Sequence, residues 1–168
     1  MRSKLLLALV LGAVAAAFHP SPVTATPPLP RPNADWQVAE PMPVALGDAA
    51  SDSDGSAAYV AGGWSSVNPE MMVPTLYKYV PSTDTWSSLN RMPDANAAAS
   101  AVYYPPANKL YVFGGDVPQR RGFGPSPKTR IYDLASDRWT IGKPMPDGRE
   151  LAASGYDPIN GKDRKSVV

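Results

Sequence analysis

The chain has 168 residues, with 20 prolines, 13 glycines and no cysteine, and it carries 16 basic groups against 15 acidic ones. Proline and glycine together make up about a fifth of it, against a usual share of roughly 12%, which fits short elements joined by many turns and excludes an architecture of long helices. The balanced charge argues against nucleic acid as the main partner, and without cysteine there is no disulfide framework or thiolate metal site.

The first 25 residues have the layout of a secretory signal peptide. Met1-Arg2-Ser3-Lys4 is basic, Leu5 to Phe18 is apolar, and small residues lead to Val23-Thr24-Ala25. The apolar run is shorter than the roughly 20 residues a membrane-spanning helix needs. Cleavage is expected after Ala25, with Ala17 as the other candidate. Residues 26–34 then form an extended, proline-rich lead-in. Cleavage removes Arg2, Lys4 and the only histidine, His19, leaving 14 basic against 15 acidic groups. The mature chain so predicted has no imidazole for base or metal chemistry and no excess charge to hold a polyanion or a membrane surface. It has no stable membrane span after cleavage. The expected location is secreted or extracytoplasmic, in a periplasm or at a cell surface.

From residue 35 the sequence repeats with a period of about 50. Trp36, Trp86 and Trp139 are separated by 50 and 53 positions, and six residues after each comes Met-Pro: Met42-Pro43, Met92-Pro93 and Met145-Pro146. Gly62-Gly63 and Gly114-Gly115 end the strand-like runs Tyr59-Val60-Ala61 and Tyr111-Val112-Phe113. Tyr79 and Tyr132 precede their tryptophans by seven, and Asp84 and Asp137 by two. Asp35 to Ala39 reads as a lone fourth strand. In the first full unit, strands are predicted at 57–61, 75–79 and 85–89, with a loop over 64–74 and a turn over 81–84. In the second they are predicted at 98–103, 109–113, 129–132 and 138–141, with a turn at Pro105-Pro106-Ala107-Asn108 and a long loop over 116–128. A further strand is expected at 151–156. Four short strands per unit, joined by tight turns, is the plan of a propeller blade.

Each marker has a physical task. A glycine doublet ends a strand where a side chain would meet the adjacent blade or where φ must be positive. The turn aspartates are expected to accept backbone N–H bonds and fix their own hairpins. The paired tyrosine and tryptophan are expected to pack between blades, and Met-Pro to mark the crossing to the next one.

The double glycine after a Tyr-Val strand, followed by tyrosine and tryptophan seven apart, resembles the kelch repeat over about residues 35–162. The resemblance implies an all-β fold, a kelch-type β-propeller of four-stranded blades. The arginine that the kelch pattern often places four residues after the methionine is present only as Arg149; Leu46 and Asn96 hold the other two places. One lone strand, two blades and part of a further blade make an incomplete propeller, since closure is what hides sheet edges. By the spacing, residues 163–168 should read like Leu110-Tyr111-Val112-Phe113-Gly114-Gly115; they read Asp163-Arg164-Lys165-Ser166-Val167-Val168. Residues 163–168 are therefore taken as a non-repeat tail, and the chain as a truncated or frameshifted piece of a longer propeller. The alternative is a short protein that closes by oligomerising.

No catalytic residue is assigned. Without histidine and cysteine the mature chain cannot build a Ser-His-Asp or Cys-His arrangement, and no cofactor or metal is expected. The glycine doublets are not phosphate loops, since neither is followed by Lys-Ser/Thr or a helix. Copper oxidases on the kelch fold use a tyrosine cross-linked to cysteine together with histidine ligands, which this segment lacks. The candidate ligand-binding residues lie in the two long loops, Trp64 in one and Arg120, Arg121 and Phe123 in the other, because aromatic and arginine side chains dominate binding hot spots. Asn96 and Arg149 join them, at the starts of innermost strands where they could face a central channel. The expected function is a secreted propeller acting as an interaction module for a protein or glycan ligand. One alternative is an extracytoplasmic enzyme on the same scaffold, a carbohydrate epimerase or a galactose-oxidase-like protein, with its active site in blades outside this segment. The other is a structural surface or adhesion protein.

Overall fold

The computed structural model describes residues 37–67, 71–158 and 162–166, the last five by backbone alone. The chain divides into two units between Gln37 and Val38, and the described residues from Val38 onward belong to the second. The signal peptide and lead-in expected over 1–34 lie outside the described residues.

The second unit is built from short antiparallel strands. In chain order they are β1 (Leu46–Gly47), β2 (Ala50–Ser53), β3 (Ala58–Ala61), β4 (Trp64–Ser65), β5 (Leu76–Val80), β6 (Thr85–Leu89), β7 (Ser100–Tyr104), β8 (Lys109–Phe113), β9 (Asp116–Pro118), β10 (Phe123–Pro125), β11 (Thr129–Asp133), β12 (Arg138–Ile141), β13 (Ala153–Asp157) and β14 (Lys162–Ser166). Two four-stranded sheets follow sequence order, β2-β3-β5-β6 and β7-β8-β11-β12, and β13-β14 forms a hairpin. These are two blades and the inner half of a third. In β14 the side-chain text departs from the repeat, yet the backbone pairs Tyr156 with Asp163 as β7 and β8 pair Tyr103 with Leu110.

The innermost strands β2, β7 and β13 lie side by side, and they are rich in alanine, serine and glycine, as suits strands crowded near an axis. Each is preceded by a residue in the left-handed region: Asp48, Ala98 and Leu151, with φ of 51°, 53° and 52°. That backbone turns the N–H toward the preceding blade. Ala98 donates to the Asp48 carbonyl at 2.8 Å, and Leu151 donates to the Ala98 carbonyl at 2.8 Å. One row of backbone hydrogen bonds thus crosses both blade junctions.

The glycine doublets act at the same junctions. Gly114 and Gly115 have φ of 64° and 82°. A Cβ on Gly115 would lie 2.5 Å from the Ala97 carbonyl oxygen, and one on Gly114 would collide with that of Arg149. The second glycine of each doublet then bonds across the junction: Gly63 donates to the Asn96 carbonyl and Gly115 to the Arg149 carbonyl, both at 2.8 Å. Positive φ and close approach operate together, as the sequence predicts.

The turn aspartates work differently from expectation. Asp84 and Asp137 are left-handed, with φ of 51° and 53°, and each takes a tyrosine hydroxyl from its own hairpin and a backbone N–H from the segment before its blade. Asp137 accepts the Tyr132 hydroxyl at 2.6 Å and the Asn90 N–H at 3.0 Å, while the Trp139 indole N–H donates to the Asn90 carbonyl at 2.7 Å. Asp84, Tyr79 and Trp86 repeat the clamp on Glu40, with bonds of 2.7 Å from the Tyr79 hydroxyl, 2.8 Å from the Glu40 N–H and 2.8 Å from the indole to the Glu40 carbonyl. The hairpin itself is held by Asp133, whose carboxylate accepts the N–H groups of Ala135 and Ser136. Trp86 and Trp139 are half-buried: their rings tilt against their tyrosines at 34° and 43°, with 4.9 and 5.0 Å between ring centres, and Trp139 packs at the margin of the core between the blades. The lone strand expected over Asp35–Ala39 is not seen in its described part, residues 37–39. A strand needs a partner to share its ladder, and these residues have none among those described; the chain is held at Glu40 by the clamp instead.

The core lies between the two blades. Tyr59, Ala61, Leu76 and Met92 of the first pack with Ala101, Leu110, Val112 and Tyr132 of the second. Leu110 and Val112 have no exposed surface, each contributing on the order of 1.5–3 kcal/mol of hydrophobic stabilisation. Met145 and Phe113 begin a second cluster toward β13.

Candidate interaction face

The segments that connect the second and third strand of each blade carry their own structure. In the first blade, β4 pairs with β1 and its Trp64 bridges to Met72. In the second, the loop expected over 116–128 is a hairpin: β9 and β10 pair Asp116 with Pro125 and Phe123 with Pro118. Gln119 to Gly122 form its tip, closed by a Gln119 N–H bond to the Gly122 carbonyl and by Gly122 at φ 78°. At its base, Asp116 bridges to Ala97 and Ser126 to Arg149, tying the hairpin to the starts of the second and third blades.

These inserts bring Trp64 and Phe123 together. Their rings meet edge to face, 4.9 Å apart at 86°, a geometry in which the positive ring edge meets the negative face. Phe123 remains 48% exposed. Arg120 and Arg121 sit at the exposed hairpin tip in the same insert, without ion pairs to the described residues. Val67 and Met71 of the first insert are also exposed. The structure thus brings Trp64 and Phe123 of two blades together and puts Arg120 and Arg121 at the tip of the hairpin that carries Phe123.

The other two candidates divide. Arg149 lies at the base of the hairpin, its backbone bridged to Ser126; its side chain is about half exposed and lies 3.5 Å from the Asp147 carboxylate. Asn96 does not face a channel. It is fully buried, wedged where a Cβ on Gly62 would go, and its side-chain amide donates to the Gly114 carbonyl at 3.4 Å. The amide fills the space that the two doublets leave between blades, so its place is structural.

Two features of this region escaped the sequence. The Arg130 side chain is fully buried, with Nε and Nη2 donating to the two Asp94 oxygens at 2.6 and 2.8 Å and Nη1 to the Gly114 carbonyl at 3.0 Å. Lys128 adds a 2.9 Å bond to Asp94. Burial alone would raise the Asp94 pKa, but these hydrogen bonds and cations hold it below the ordinary carboxylate range. The second feature is a carboxyl pair. A hydrogen bond to Asp116, and then that group's negative charge, raise the pKa of Glu150. Neither pair carries a repeat signal, because one period earlier Val44 and Tyr77 stand in the places of Asp94 and Arg130, and Trp64 and Ala97 in those of Asp116 and Glu150.

No protein-family model matches the chain. Over 79 residues it is 35% identical to the Kelch-like protein terF of Aspergillus terreus, an alignment that covers 46% of this chain and 17% of that protein. The solved structure of YjhT, a kelch-type propeller, is similar with a TM-score of 0.61 at 20% identity, covering 73% of this chain and 34% of YjhT. The chain thus spans well under half of either relative. Its four-stranded sheets have the fold of blades of a kelch-type β-propeller.

Proposed function

We propose that this chain is an extracytoplasmic interaction module that takes a protein or glycan ligand on the face made by its two inserts. The fold supports an interaction module in general. The observation that carries the reading further is the Trp64–Phe123 pair, assembled from different blades, with Arg120 and Arg121 at the tip of the hairpin that carries Phe123. Half-exposed aromatic rings supply rigid contact area and the arginines supply directed hydrogen bonds, the usual ingredients of a hot spot. The rigid sheets beneath fix the inserts, so the face is preorganised. The basic and apolar start of the chain supports export, with Thr26 as the mature N-terminus.

A protein and glycan binding screen with the whole chain tests this. For the ligand found, Arg120→Ala combined with Arg121→Ala abolishes binding while the melting temperature is unchanged, because both side chains are exposed. Unaltered binding in that double variant removes the arginines from the site, and unaltered binding in Trp64→Ala and Phe123→Ala as well refutes the face. N-terminal sequencing of exported protein checks the processing; a retained Met1 would refute it.

A further inference from the structure

The blade clamp recurs at a fixed place, four residues after each tryptophan: Glu40 after Trp36, Asn90 after Trp86 and Lys143 after Trp139. Glu40 and Asn90 each give their N–H to an aspartate and their carbonyl to an indole of the next blade. Lys143 is the third of the series, and neither of its backbone groups has a partner among the described residues. It lines a groove of about 680 Å³ with Tyr111, Thr129, Ile131 and Met145. On the first blade the flank that corresponds, with Tyr59, Leu76 and Met92, is covered by Leu110, Val112 and Tyr132 of the second. Asp147 stands where Asp94 receives Arg130, and its side chain is 73% exposed. The edge of β8 that β11 occupies corresponds, on β14, to an edge with no pairing strand among the described residues.

We propose that this flank is a docking site for a two-stranded antiparallel hairpin of the kind β11 and β12 make. The first strand of that hairpin continues the ladder from β14, a mode of recognition in which backbone bonds give affinity and side-chain pockets give register. Its turn carries Asp-Xaa-Trp, whose carboxylate accepts the Lys143 N–H and whose indole donates to the Lys143 carbonyl. Its apolar face closes the groove over Ile131 and Tyr111, and an arginine in its first strand pairs with Asp147. The ladder has its counterpart in β8 and β11 of the second blade, and the other contacts have theirs where that blade meets the first, so the occupant is specified by contacts the chain already makes.

The test uses the full chain and a synthetic hairpin of sequence 128–142, closed at its open end by a D-proline–glycine link so that the free peptide is already folded. Calorimetry is expected to show one hairpin bound per chain. Trp139→Ala in the hairpin, and Lys143→Pro in the protein, each remove a clamp bond and are expected to weaken binding about tenfold. Asp147→Lys, on an exposed side chain that leaves the fold alone, is expected to weaken it severalfold with an unchanged melting temperature. Absence of saturable binding up to about 1 mM, a free energy near −4 kcal/mol, overturns the proposal. Equal binding to the Asp147→Lys protein and by the Trp139→Ala hairpin does so as well.

Discussion

Asp94→Ala is expected to be among the most damaging single changes in this chain. Arg130 has no exposed side-chain surface, and three of its N–H donors are directed, two to Asp94 and one to the Gly114 carbonyl. Removing the carboxylate leaves a buried cation with one neutral acceptor, which costs about 3–5 kcal/mol. Arg130→Met removes the cation instead. Asp94 keeps Lys128 and is 25% exposed, so water and a second cation take over, and the loss is roughly half as large. The first blade supplies the compensating design: its corresponding residues are Val44 and Tyr77, and Tyr77 is only 8% exposed. Asp94→Val combined with Arg130→Tyr is expected to recover most of the stability, since a well-packed apolar pair replaces a buried ion pair at little net loss. Urea unfolding of the full chain, followed by tryptophan fluorescence, gives the ranking. The folded Asp94 pKa is depressed, so its contribution is present above the ordinary carboxylate range and is lost as pH falls through the depressed value. A loss below about 1 kcal/mol for Asp94→Ala, or a double variant no better than that single one, would refute the reasoning.

Other changes probe the repeat itself. Trp139→Ala is expected to cost about 2–4 kcal/mol, less than a fully buried ring, and Trp139→Phe about 1 kcal/mol for the lost bond to Asn90; thermal melts of both variants check the order. Ala98 sits at φ 53°, so Ala98→Gly is expected to raise stability by about 0.5–1 kcal/mol in chemical denaturation. The Tyr59 phenol is buried and donates to Asp54 at 2.8 Å, and Tyr132 is buried and donates to Asp137 at 2.6 Å. Burial first, then these bonds, push both phenols above their ordinary value. The folded phenols therefore keep their protons after the unfolded ones lose theirs, and the stability they confer is lost as pH rises past about 10. Ultraviolet titration is expected to show Tyr59 and Tyr132 ionising only with unfolding; early ionisation of either would contradict the burial.

Much of the fold is legible because a repeat states each constraint more than once. Lys109–Phe113 and Arg138–Ile141 fall where the sequence places them, since alternation and turn residues agree there. Gly115 is legible for the same reason: its positive φ and the carbonyl beside it admit no side chain. Features that do not recur are hidden. Arg130 and Asp94 read as ordinary charges, because nothing local marks an arginine 36 positions away as its partner. The hairpin inside 116–128 is hidden because its three-residue strands carry two prolines and a glycine. Asn96 looks like a channel residue from its place in the repeat, yet the glycines on either side give it a space to fill. The Trp64–Phe123 contact depends on the mutual approach of two inserts, which no spacing along the chain encodes; only the residue types pointed there.

Hydrogen exchange at the amides of Gly63 and Gly115 tests the architecture most directly. Each of these N–H groups bonds to a carbonyl at the start of the following blade, Asn96 and Arg149, and neither would be satisfied if the repeats folded as separate sheets. Both amides are predicted to exchange slowly, together with the core amides of β8. Exchange as fast as that of Gly122, at the exposed hairpin tip, would contradict the stacking of these repeats as blades.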